Sequence, residues 1–100
     1  MKTMMNNQEL LVERMADNLP VLRKKLKLSQ EELANIIGSS RYTVMLYETK
    51  KRKMPWNIFL ALCFWFDKNE ESAPLLKALE IYTEELDSFV KHEETQELER

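Results

Sequence analysis

The sequence predicts an all-α protein, a compact helical bundle of five or so helices that ends in a C-terminal amphipathic helix. Three observations predict it. Leu, Glu, Lys, Ala and Met, all good helix formers, dominate the 100 residues, and one Gly and three Pro leave little material for loops. Apolar residues recur at helical rather than alternating spacing. At 44% hydrophobic content the chain can fill one core but not two.

Each element has its own signals. "NNQELLVERMA" places Leu10, Leu11 and Met15 on one stripe, which predicts a short N-terminal helix or arm over 1–17. Pro20 disfavours helix at the residue before it, so Asp17 or Asn18 is expected to cap a new helix through "LPVLRKKL". In "LSQEELANIIG", Ser29 and Glu32 have the form of a capping box, and Gly38 supplies the left-handed residue that closes a helix. Ser40 follows at once as the N-cap of a helix over 41–48, and so tight a turn makes the two helices cross steeply, as in a helix-turn-helix. "TKKRKMP" reads as a basic loop, and Pro55 opens a helix through "WNIFLALCFWF". After the polar break "DKNEES", Ser72 and Pro74 start the last helix. Along it Leu75, Leu79, Tyr82, Leu86 and Phe89 form a heptad seam that either folds back on the domain or joins a second copy.

The net charge of −2 hides an asymmetry. Residues 1–66 carry 11 basic and 6 acidic side chains, a net +5, and residues 67–100 carry 4 basic and 11 acidic, a net −7. This pattern predicts a basic working module, 18–66, between the N-terminal segment 1–17 and an acidic C-terminal region, 67–100. No P-loop, metal-ligand cluster or nucleophile with its base is visible, so the sequence predicts neither an enzyme nor a cofactor. The single Cys63 and the lack of a secretory leader pattern predict a cytoplasmic setting. "IFLALCFWF" is far shorter than the roughly 20 residues that span a bilayer, so no membrane association is expected. Cys63 and the aromatic residues Trp56, Phe59, Phe64, Trp65 and Phe66 are expected in the core or an interface. His92 stands without a second ligand, and the acidic run from Glu93 to Glu99 is expected to be a solvated end.

"LPVLRKKLKLSQEELANIIGSSRYTVMLYETKKRKMP" resembles the helix-turn-helix domain of the phage repressor and Cro-like family, also called the xenobiotic-response-element family. The likeness covers about residues 19–66 and rests on Gln30, Ala34, Gly38, Val44, Tyr47 and Glu48. It implies that Ala34 permits close helix approach, that Val44 and Tyr47 clamp the second helix inward, and that Arg23 forms a buried ion pair with Glu48. Lys27 and Lys50 stand where family members usually carry Gly, which predicts left-handed backbone at both.

The resemblance further implies that the helix over 40–48 enters a DNA major groove. Helical geometry then turns Arg41, Tyr42, Met45, Leu46 and Thr49 outward. Arg41 suits a bidentate contact to guanine, and Met45 and Leu46 suit thymine methyls; with Tyr42 they are the expected base readers. Gln30, Ser39, Ser40 and Thr43 match the family's phosphate-contacting positions, and the loop Lys50, Lys51, Arg52 and Lys53 suits sequence-independent phosphate contact. The function expected is therefore a sequence-specific double-stranded DNA-binding transcriptional regulator, a repressor, acting as a homodimer. Two alternatives use the same fold. One is the antitoxin of a toxin–antitoxin pair, holding a protein partner through the C-terminal helix; the other is a protein-interaction module that no longer binds DNA.

Overall fold

The computed structural model describes residues 2–88 and 90–91, with side chains from residue 7 onward. Among the described residues it is all-helical, with six helices: α1 (Lys2–Lys25), α2 (Gln30–Ile37), α3 (Arg41–Glu48), α4 (Trp56–Lys68), α5 (Ala73–Ala78) and α6, which covers 84–88 and includes 90 and 91.

α1 corrects the expected break at Pro20. The helix runs without interruption through the proline, so neither Asp17 nor Asn18 is a cap, and no boundary falls after residue 17. A proline inside a helix costs about 3 kcal/mol or more, because it lacks an amide hydrogen and its ring crowds the carbonyl four residues back. Burial outweighs that cost. Leu11, Val12, Met15, Leu19 and Leu22 lie on one face of α1 and are all buried, on both sides of Pro20. Full burial of each such side chain contributes about 1.5–3 kcal/mol, so continuing the helix is favoured. Leu10, expected on the inner stripe, is 45% exposed; the true stripe lies one residue further round.

The hydrophobic core centres on α4. Phe59, Leu62, Cys63 and Phe66 are buried, and Trp56 stacks on Phe59 with ring centroids 4.7 Å apart. Met15, Leu19 and Leu22 of α1, Leu33 and Ala34 of α2, and Val44 and Tyr47 of α3 belong to the same buried cluster. α2 packs on α3 and α4, and α3 packs on α1, which also contacts α4.

Four helices end in the same way. In each, the left-handed residue donates its amide to the carbonyl three back, and the next residue donates to the carbonyl five back, the Schellman arrangement. The left-handed residues are Lys27, Gly38, Lys50 and Glu80, with φ of 59°, 69°, 62° and 60°. After α1 the bonds are Lys27 to Lys24 and Leu28 to Arg23; after α3 they are Lys50 to Tyr47 and Lys51 to Leu46. The expected left-handed backbone at Lys27 and Lys50 is present.

Glu80 corrects the single last helix. α5 stops at Ala78, and Glu80 and Ile81 donate their amides to Lys77 and Leu76. The reversal lets Leu76 and Ile81, five apart in sequence, both reach full burial, which a continuous helix would not allow on one narrow seam. Leu86 is buried, while Leu75, Leu79 and Tyr82 pack against the core of the same chain, so the described part of the seam folds back. Phe89, the last seam position, lies outside the described residues, as do His92 and the run from Glu93 to Glu99. Ser72 stands at the N-cap of α5, as expected. Its buried hydroxyl makes no capping hydrogen bond there but donates to the Phe66 carbonyl at 2.7 Å, closing the last turn of α4; Pro74 stands in the first turn of α5.

Candidate nucleic-acid interface

The site begins with how α2 and α3 are fixed. Ser29 forms the full capping box, accepting the Glu32 amide on its hydroxyl at 3.0 Å while its own amide donates to Glu32 Oε1 at 2.8 Å. Gly38 closes α2, with Ser39 donating to the Ala34 carbonyl at 2.8 Å. Two residues later Ser40 opens α3, its Oγ accepting the Thr43 amide at 3.1 Å and donating to Thr43 Oγ1 at 3.0 Å.

A buried ionic knot ties the far end of α3 to its neighbours. Arg23 of α1 donates Nε to Glu48 Oε2 at 2.8 Å and Nη2 to Glu48 Oε1 at 3.2 Å, a bidentate pair with side chains only 11% and 6% exposed. Arg23 Nη1 donates to the Leu28 carbonyl at 2.9 Å, and Gln30 Nε2 donates to Glu48 Oε1 at 3.0 Å. One carboxylate thus gathers donors from the end of α1 and the start of α2. Arg suits this place because its planar fork fills a carboxylate in two directions.

With Val44 and Tyr47 buried, the opposite side of α3 is set outward. Arg41 and Tyr42 are exposed, Tyr42 by 63%, and Met45 and Leu46 are half-buried beside them. Thr49 turns its hydroxyl back onto the Met45 carbonyl at 2.9 Å. The four expected base readers therefore share one outward face, apolar at its centre and polar toward the start of the helix.

The residues expected at phosphates divide into distinct groups. Ser40 and Thr43 satisfy each other and the helix start, Ser39 is half-buried in the turn, and the Gln30 amide nitrogen is engaged by Glu48. Within the loop, Lys50 Nζ lies 2.7 Å from Asp17 Oδ1, and Lys53 Nζ lies 3.8 Å from Glu9 Oε2. The bond to Asp17, and then its charge, raise the Lys50 ammonium above its ordinary range, with a lesser contribution from Glu13. Lys51 and Arg52 are exposed and have no ion-pair partner among the described residues. The acidic partners of Lys50 and Lys53 lie outside the site residues the sequence predicts. The four-residue spacing of Glu9, Glu13 and Asp17 is visible in the sequence, but what it faces depends on α1 staying helical through Pro20.

Elsewhere the chemistry is sparse. Among the described residues no group of three His, Cys, Asp or Glu is placed to hold a metal ion, and no helix is long and apolar enough to cross a membrane. Cys63 is buried, and loss of solvation pushes its thiol up to about 12. Comparison with protein-family models, with curated proteins and with solved structures gives no match to the chain.

Proposed function

We propose that this chain is a sequence-specific double-stranded DNA-binding transcriptional regulator, a repressor, that presents α3 to the major groove. One observation carries the reading. α3 is clamped from behind by Val44, Tyr47 and the Arg23–Glu48 pair, while Arg41 and Tyr42 are exposed, Met45 and Leu46 are half-buried, and the basic 50–53 loop follows directly on the helix. A helix fixed on one side and furnished with a guanidinium and apolar tips on the other suits base edges. Arg41 would read guanine, and Met45 and Leu46 would meet thymine methyls. Lys51 and Arg52 would neutralise phosphates whatever the sequence.

The proposal includes a homodimer, since two such helices about 34 Å apart reach successive major grooves on one face of the duplex. Sedimentation at tens of micromolar should then give a dimer's mass; a monomer's mass would remove this part. Titration of duplexes against salt tests the whole reading. Binding through several Lys and Arg side chains should fall steeply as salt rises.

A second reading has its own support in Met45 and Leu46, which offer no hydrogen-bonding group to a base. If α3 docks another protein through them, binding to that protein should barely respond to salt.

A further inference from the structure

We propose that Glu9, Glu13 and Asp17 of α1 form a built-in competitor of DNA phosphate for the 50–53 loop, a brake on sequence-independent binding. The inference rests on the DNA-binding reading.

The three carboxylates are spaced four apart, so they form one row along α1, and all three are exposed. The row meets the loop at two places. Asp17 takes Lys50 at 2.7 Å and Glu9 takes Lys53 at 3.8 Å, which occupies the two outer cations of a run of four and leaves Lys51 and Arg52 between them. Glu13 stands between the two contacts, and its charge adds to the field at Lys50. The left-handed backbone at Lys50 fixes where this side chain leaves the end of α3, since two backbone hydrogen bonds hold the turn. The contact is therefore anchored at both ends, on a regular helix and on a closed turn.

A phosphate approaching the loop must replace a carboxylate at Lys50 and at Lys53. Where a carboxylate instead keeps its lysine in the complex, that lysine neutralises no phosphate, so each retained pair lowers the dependence of affinity on salt. The contacts with base edges through α3 are untouched. The row thus weakens the part of binding that is the same for all duplexes.

The test compares wild type with Glu9→Gln/Glu13→Gln/Asp17→Asn in titrations of duplexes over a range of salt. A control, Glu70→Gln/Glu71→Gln/Glu84→Gln, removes as many charges at exposed positions outside the row. The row variant should bind every duplex about two- to tenfold tighter at low salt. The slope of log affinity against log salt should steepen by up to about 2, as two lysines are freed. The control should change far less. Equal affinity and slope for the row variant and the control would overturn the inference. Heparin, a polyanion without base edges, separates this outcome from failure of the DNA reading. The row variant should elute from immobilised heparin at higher salt than both the wild type and the control. If it does so while no protein binds duplex DNA, the DNA reading falls and the competition stands; equal elution of all three removes the competition.

Discussion

Glu48→Ala is the sharpest test of what holds α3 in place. The substitution removes the acceptor of three hydrogen bonds, two from Arg23 and one from Gln30. It leaves the Arg23 guanidinium, 11% exposed, with the Leu28 carbonyl as its remaining partner. Removing one partner of a buried pair typically costs about 3–5 kcal/mol, most of it the penalty of the stranded charge. Against a total stability of about 5–15 kcal/mol, that is a large share. For a domain of this size it corresponds to a fall in Tm of roughly 12 to 40 °C. Urea unfolding followed by circular dichroism measures it, with an unchanged m-value showing that the loss is one of stability. Arg23→Met/Glu48→Met provides the cross-check. Replacing both charges by apolar groups should be less harmful than Glu48→Ala alone, because no ion is left behind. A cost below about 1 kcal/mol for Glu48→Ala, the range of an exposed pair, would refute this account of the knot.

Three further outcomes are expected. Lys27→Gly should raise stability by about 1 kcal/mol in the same unfolding assay, because Lys27 holds φ 59° at the end of α1; a loss would show that its side chain contributes more than its backbone costs. Cys63 should react with a thiol reagent at about pH 8 on the order of a thousandfold slower than in the urea-unfolded chain, since burial raises its pKa to about 12 and lowers the thiolate fraction in proportion. Because the raised value favours the neutral thiol in the folded state, its contribution to stability is complete below the ordinary value of 9.0 and is lost as pH rises toward 12. In DNA titrations Arg41→Ala should relax preference at particular base pairs, by about 1–3 kcal/mol of discrimination, while Lys51→Ala should weaken all duplexes alike and lower the salt slope by about 1.

The local signals were the most legible in the sequence. Ser29 with Glu32, Gly38 and Ser40 each specify a helix end through hydrogen bonds within a few residues, and such signals need no knowledge of the rest of the chain. The resemblance supplies the inward pair Val44 and Tyr47, and helical geometry then gives the outward set on α3. Pro20 shows where local reasoning gives way. Its effect on the backbone is fixed, but whether the helix continues depends on how much apolar surface α1 can bury on either side, and that surface lies on α4 and its neighbours. Glu80 is the reverse case. A repeat of 4, 3, 4 and 3 reads as one helix, yet the chain turns at an unremarkable Glu because Leu76 and Ile81 are better buried after a reversal. The pairing of Lys50 with Asp17 lies beyond sequence reading for the same reason, since 33 residues separate partners that meet only when α1 is continuous.

The continuity of α1 also bears on the site itself. Arg23, which holds Glu48, and Asp17, which holds Lys50, stand on the same helix on either side of Pro20. A break there would uncouple the support of α3 from the carboxylates facing the loop.

The central claim, that α3 reads DNA sequence through Arg41, Tyr42, Met45 and Leu46, is tested most directly by selecting bound duplexes from a random library. The account predicts an enriched palindromic consensus whose half-sites lie about one helical turn apart, with guanine and thymine at the positions α3 meets. Recovery of no enriched sequence by a folded protein would contradict it.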